Sequence, residues 1–202
     1  MRGVATFASM TGNERRAPWL APDELDAGQR ALYDAIVGGD RGRDPAFALT
    51  DAHGRLEGPF DAMLLAPATG GAVQELGAAL RYRTSLTGRE REIAVLAVAH
   101  AHDSAFEIYA HERVARRSGL SEAELADLRE GRAAGTFGAD EAQVHAVVAA
   151  LVATRDLDDA SFRAGEAALG RARLAELVTL VGYYEMLALS LRVWRVPLPD
   201  AD

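Results

Sequence analysis

Residues Arg89–Leu125 read REREIAVLAVAHAHDSAFEIYAHERVARRSGLSEAEL, and this stretch spells out consecutive helices joined by short turns. Thr87-Gly88-Arg89-Glu90, at its leading edge, is a capping box, in which the threonine hydroxyl and the glutamate three residues on each satisfy a free helix amide. Glu92 to His102 then forms a helix that is apolar through Ile93, Ala94, Val95, Leu96, Ala97, Val98 and Ala99. A helix apolar nearly all round is buried, in a core or between subunits. Ser104-Ala105-Phe106-Glu107 reads as a second capping box, opening a helix that runs to about Ser118 and is ended by Gly119. Ser121-Glu122-Ala123-Glu124 reads as a third, opening a helix to about Gly131.

Working outward, the same periodicity predicts helices over Thr69–Arg83, Asp140–Thr154, Asp159–Leu169 and Arg171–Val193, the last ended by Pro197 and Pro199. Upstream, Pro22 opens a helix carrying Leu25, Leu32, Ile36 and Val37, which Gly38-Gly39 stops. Residues 1–21 read as irregular, with disorder expected at the start. Residues 38–60, rich in Gly, Asp and Pro, read as a long loop, and Phe60 to Leu65 as a short apolar segment closed by Pro67. Strand-like runs such as Val193 to Val196 are too brief to build a sheet. The expectation is an all-α protein of about eight helices, with short connections after residue 84.

Composition removes several function classes. The 202 residues carry a net charge of −8, and bases alternate with acids as in Arg89-Glu90-Arg91-Glu92, so no basic stripe exists for nucleic acid. There is no cysteine, which excludes disulfides, thiolate catalysis and thiolate metal sites. No basic region followed by a long apolar run opens the chain, so no signal peptide is expected. No uninterrupted apolar run of about 18 residues occurs, so no membrane span is expected, and a cytoplasmic location is the default.

The residues suited to chemistry gather near the quoted stretch. Glu107 and His111 are four apart on one helix, so they share a face, and a carboxylate beside an imidazole is a candidate general acid/base. Glu92 precedes them on the buried helix, where an unpaired carboxylate is costly. Ser104 and Tyr109 lie close in sequence. The plainer reading is that Glu107 only completes its capping box. His100 and His102, two apart, do not share a helix face, so with His111 they make a poor metal set, and no metal is expected. His53 and His145 read as bystanders. Gly70-Gly71 and Gly38-Gly39 precede no Lys-Ser/Thr pair and are not phosphate loops. Trp19, Trp194, Tyr183 and Tyr184 read as packing or interface residues.

The segment Arg89–Leu125 resembles the core of the carboxymuconolactone decarboxylase family, which shares its fold with the alkylhydroperoxidase D proteins. Gly58-Pro59-Phe60 followed by Leu65-Ala66-Pro67, then Leu86-Thr87, then Leu180-Val181-Gly182-Tyr183-Tyr184 support the resemblance in order and spacing. The redox branch has the pattern E…C-x-x-C-x-x-x-H. Glu92 and His111 stand at its glutamate and histidine, while Ser104 and Glu107 replace its two cysteines, so thiol peroxidase chemistry cannot run. The decarboxylase branch often has a glutamate at the Glu107 position but commonly keeps a cysteine at that of Ser104.

The resemblance implies a lyase acting on a small unsaturated lactone acid. That reaction needs no cofactor, because the electrons left by carbon dioxide delocalise onto the lactone carbonyl. The protein must stabilise that charge and protonate carbon. His111 is the implied proton donor or oxyanion partner, oriented by Glu107, with Glu92 or Tyr109 in support. Arg81, Arg83 and Arg113 are candidates to meet an anionic substrate. The resemblance also implies an AhpD-like orthogonal helical bundle, with residues 1–55 as an N-terminal extension holding one helix and a Gly-rich loop and 56–202 as the family-like helical domain, and a homo-oligomer, a trimer or hexamer. Two alternatives stay open: an acid/base isomerase, cyclase or hydrolase on the same scaffold, and a non-catalytic oligomeric binding protein.

Overall fold

Helix starts and stops follow the side chains that satisfy free backbone groups, and the computed structural model, which describes residues 15–43 and 48–199, shows where. In chain order these residues form a 3-10 turn Pro22–Glu24, then α1 (Ala27–Val37), α2 (Asp40–Arg43), α3 (Pro59–Met63), α4 (Pro67–Tyr82), α5 (Gly88–Ala101), α6 (Ala105–Arg117), α7 (Glu122–Arg129), α8 (Ala139–Thr154) and α9 (Asp159–Trp194). Apart from helices, the described residues hold one isolated antiparallel bridge, Thr50 to Leu56. The fold is all-α.

Thr87 accepts from the Glu90 amide at 3.2 Å, and Glu90 accepts from the Thr87 amide at 2.8 Å. Ser121 and Glu124 close the same reciprocal box at the start of α7. Asp26 and Asp158 cap α1 and α9. Within α9, Gly170 takes φ 73° and ψ 162° and breaks the helical ladder. The two helices read from sequence therefore meet at a kink, which needs a residue without a Cβ penalty.

The centre of the molecule is α5. Ile93, Ala94, Val95, Leu96, Val98 and Ala99 expose nothing, because α6, α7, α8 and α9 pack around this helix. Its apolar circumference is thus used up inside one chain, and a subunit contact is not what buries it. Each such Leu, Ile or Val contributes roughly 1.5–3 kcal/mol by leaving water. From the second half of α9, Leu174, Leu177, Leu180, Val181 and Leu187 face the same core. The opposite side of α9 presents Val178, Met186, Leu189 and Val193 to solvent.

The N-terminal region joins that core. Leu32 and Ile36 of α1, and Leu49, belong to one cluster with Leu96 and Leu177. Trp19 donates to the Leu56 carbonyl at 2.8 Å, and the guanidinium of Arg55 lies 3.8 Å from its ring centroid. The Arg16 amide donates to Trp194 O at 3.0 Å. The disorder expected at the extreme N-terminus falls on residues outside the described set. The expected loop at 38–60 is only partly irregular: it holds α2 and the Thr50–Leu56 bridge, and its residues 44–47 lie outside the described set.

One expectation from hydropathy needs correction. α9 is long and apolar enough, by length and composition, to cross a bilayer, although scattered charges interrupt its apolar residues. Half of its most apolar stretch is buried inside the protein, against α5 and α8. The core helix of a folded bundle meets the same length and composition test as a membrane span.

Candidate active site

Two helices deliver the site. α5 carries Glu92 with no exposure, and α6 carries His111 at 9% and Glu107 at 2%. His111 Nδ1 lies 2.7 Å from Glu92 Oε2. The imidazole therefore pairs with the glutamate nineteen residues earlier, and not with Glu107 on its own helix. This corrects the expectation that Glu107 orients His111. Shared helix face brings two side chains near one another, but packing against α5 decides which carboxylate the ring meets.

Glu92 is held ionised against its surroundings. Burial pushes its carboxyl up, and His111, Arg81 and Arg91 together reverse that, so it sits below the usual carboxylate range. A buried carboxylate keeps its charge only when compensated in this way. Because an ionised Glu92 can only accept, His111 Nδ1 carries the hydrogen of this bond.

Glu107 is the opposite case. Both of its oxygens are buried and neither has a hydrogen-bond partner. Burial pushes its carboxyl up to about 8, while the nearby Ser104 hydroxyl acts the other way without closing a bond of normal geometry. At neutral pH Glu107 is therefore mostly a neutral acid. The predicted capping box at Ser104 does not form: the Ser104 amide donates instead to Ala99 O at 2.9 Å, and its side chain caps nothing. Ser104 adopts φ −82° and ψ 86°, unlike the extended caps at Thr87 and Ser121, so Glu107 cannot reach back.

Aromatic residues complete the wall. The Tyr184 ring stands edge-on to His111 with centroids 5.1 Å apart, and Tyr183 stands edge-on to Tyr184 at 5.3 Å. Burial and the charge of Glu92 keep Tyr184 a phenol. Tyr183 is also pushed up by burial, with Arg41 hydrogen-bonding to it in opposition and Glu107 close enough to be felt. Gly77 lets this corner close, since a Cβ there would lie 2.1 Å from Tyr183 Oη and 2.6 Å from Arg41 Nη2. Sequence reasoning assigned Tyr183 and Tyr184 to packing and passed over Arg41. The Leu180–Tyr184 stretch was their signal; Arg41 had none, because a short helix in a Gly-rich segment gives no periodicity.

The other expected site residues divide. Arg81 joins, acting on both Glu92 and Tyr184. Arg83 does not: it forms an exposed ion pair with Glu75. Arg113 lies over the Tyr109 ring, 3.6 Å from its centroid, and donates to Tyr109 O at 2.9 Å. Tyr109 itself packs with Phe106, Ala110 and Leu191 in a separate small cluster, away from the His111–Glu92 pair. His102 bonds Glu185 at 3.3 Å, and His53 is exposed on its loop. Among the described residues no three His, Asp or Glu side chains converge as a metal-binding group.

A cleft of about 250 Å³ opens beside the start of α6, walled by Asp103, Ser104, Phe106 and Leu191, with Arg192 and Arg195 at its polar side. Ser104 is on its wall; Glu107, Glu92 and His111 are not. The sequence offered Arg81, Arg83 and Arg113 as the positive charge for an anion, whereas the cleft brings Arg192 and Arg195.

Residues 67–161 match the model of the carboxymuconolactone decarboxylase family. That span contains Arg81, Glu92, Ser104, Glu107 and His111, and leaves out Arg41, Tyr183, Tyr184, Arg192 and Arg195. No curated protein matches the chain by sequence. Among solved structures, it is similar to an uncharacterised peroxidase-related protein with an AhpD core from Ralstonia eutropha JMP134, with TM-score 0.73, 14% identity, and 92% of this chain and 93% of that one covered. It is also similar to a protein of unknown function from Agrobacterium tumefaciens, with TM-score 0.64, 18% identity, and 70% and 97% covered. A third is the debrominase Bmp8 in complex with 2,3,4-tribromopyrrole, with TM-score 0.71, 12% identity, and 93% and 95% covered. At these identities the likeness is one of fold. The helical core that pairs a buried glutamate with a histidine on the next helix therefore has an AhpD-like fold, and its residues 67–161 match the carboxymuconolactone decarboxylase family model without a cysteine.

Proposed function

We propose that the protein is a cytoplasmic, cofactor-independent acid/base lyase that decarboxylates a small unsaturated lactone or carboxylic acid. The observation that carries this reading is Glu107: a buried carboxyl with no hydrogen-bond partner, neutral at pH 7, one helical turn from an imidazole whose other nitrogen is anchored by Glu92. An orphaned buried acid is costly to keep unless a ligand or a reacting atom supplies its partner.

The chemistry follows from the charges. The substrate carboxylate meets Arg192 and Arg195 in the cleft, whose wall Ser104 shares. The bond between that carboxylate and its carbon breaks, carbon dioxide leaves, and the electron pair delocalises through the conjugated double bond onto the lactone carbonyl. Donors aimed at the developing oxyanion lower the barrier, and this reading assigns that part to Tyr183 and the protonated Glu107. His111, bonded to Glu92 through Nδ1 and carrying a second proton on Nε2, delivers that Nε2 proton to carbon; the ring is left neutral and the enolate becomes a neutral lactone. With no cysteine in the chain, thiol peroxidase chemistry has no nucleophile.

A homo-oligomer, a trimer or hexamer, belongs to this proposal. The outward row Val178, Met186, Leu189 and Val193 on α9 supports it, because an apolar row of that length in water favours association. A related acid/base isomerase, cyclase or hydrolase is the second reading. It is favoured by the residues outside the family span, Arg41, Arg192 and Arg195, which reshape the approach to the site.

The test is release of carbon dioxide from a panel of unsaturated lactone acids by the wild type and by His111→Ala and Arg192→Ala. Loss of turnover in His111→Ala with unchanged helical content, and a raised KM in Arg192→Ala, is the expected result. Wild-type rates in His111→Ala overturn the acid/base assignment. Turnover of these lactones without carbon dioxide release moves the assignment to the second reading.

A further inference from the structure

Away from the Glu92–His111 pair, α5, α7 and α8 border a second, half-open cleft of about 280 Å³, lined by Ala97, His100, Leu128, His145, Ala149 and Val152, with Arg129 at its rim. His100 Nε2 is buried there and has no hydrogen-bond partner. His145 is buried, at 7% exposure. Neither histidine has a role in the chemistry above. An unsatisfied polar atom in an apolar wall is retained at a cost, and a ligand group that bonds it removes that cost.

We propose that this cleft is a binding site for a neutral, hydroxylated single-ring compound of the phenol class, separate from the Glu92–His111 site. Size permits it: an apolar cavity of about 150 Å³ takes up benzene, and this one is larger. The alanine, leucine and valine lining suits an apolar ring face. Two imidazoles suit a hydroxyl, because each neutral ring offers one acceptor and one donor. Burial favours the neutral form of both, lowering their pKa values. A carboxylate is served less well. Arg129, the cation at the rim, already bonds Glu112 at 2.7 Å, and neutral imidazoles supply no charge. Two histidines without a third ligand are also a poor metal site.

The probe is phenol, titrated into the full chain by calorimetry, with the histidine imidazole signals followed by NMR. We expect saturable one-site binding that moves His100 and His145 signals and leaves His111 in place. Ala149 is solvent-exposed at the cleft wall, so Ala149→Phe fills the space without overpacking the core and is expected to weaken phenol at least tenfold. Ala153→Phe repeats the plug one turn on should the first variant misfold. His100→Leu removes one hydrogen bond and is expected to weaken phenol roughly fivefold while leaving benzene unchanged. His111→Ala binds phenol like wild type, which keeps this outcome distinct from that of the catalytic assignment. Non-saturable binding, shifts confined to His111, benzene binding as tightly as phenol, or benzoate binding more tightly than phenol each overturns the proposal.

Discussion

Glu92 on α5 and His111 on α6 meet through a 2.7 Å hydrogen bond, while Glu107, one turn before His111, has no hydrogen-bond partner. Two buried glutamates on successive helices thus take opposite protonation states. Glu92 has His111, Arg81 and Arg91 to hold its charge, whereas Glu107 has burial and only a serine to oppose it. Groups whose environments push their pKa values apart are suited to separate acid and base roles.

Glu92→Gln keeps the shape but removes the charge that fixes the His111 tautomer. Turnover is expected to fall roughly 10²-fold or more, with KM changing far less. Steady-state kinetics beside circular dichroism read this out. A drop in KM-dependent steps alone would mean that Glu92 does not position the imidazole.

Stability should carry the signature of Glu107 between acid and mildly alkaline pH. Its carboxyl ionises near 4.5 when unfolded and near 8 when folded. Between those values the unfolded chain has released a proton that the folded chain retains, so stability falls as pH rises and levels off above about 8. The loss is of the order of a few kcal/mol. Glu107→Gln does not titrate, so the difference in unfolding free energy between variant and wild type, measured in urea at pH 5 and pH 9, should move in the variant's favour at pH 9. An identical difference at both pH values would show that Glu107 is ionised in the folded protein.

Thr87 and Ser104 look alike in sequence and differ in the fold. Thr87→Ala removes a formed cap and is expected to cost about 1 kcal/mol. Ser104 caps nothing, and its buried hydroxyl has no hydrogen-bond partner, so Ser104→Ala is expected to be neutral within about 0.5 kcal/mol. Equal losses for the two in urea melts would place a capping box back at Ser104.

Gly77→Ala puts a methyl group against the Tyr183 hydroxyl and the Arg41 guanidinium. One of the two must move. We expect turnover to fall about tenfold or more while the urea midpoint changes little, because Arg41 sits on a short helix that can shift. Unchanged turnover would remove Tyr183 and Arg41 from the site.

The sequence alone settled most of the helices and the burial of α5, while its place at the centre of one chain, the 3-10 turn at Pro22–Glu24 and the short α2 came from the structure. Capping residues at Thr87 and Ser121, the glycine at Gly119 and the apolar run from Ile93 to Ala99 act through neighbours within a few residues, so they are legible one helix at a time. It also brought Glu92, Glu107 and His111 into view, through their spacing and the family resemblance. Only the tertiary structure decided that His111 takes Glu92 as its partner, that Glu107 is left unpartnered and neutral, that Ser104 fails to cap, and that Arg192 and Arg195, rather than Arg83 and Arg113, border the cleft. Those outcomes depend on how separate helices pack and on how much water remains beside each group. Neither quantity is local in the chain, and both govern which hydrogen bonds form and which charges survive burial.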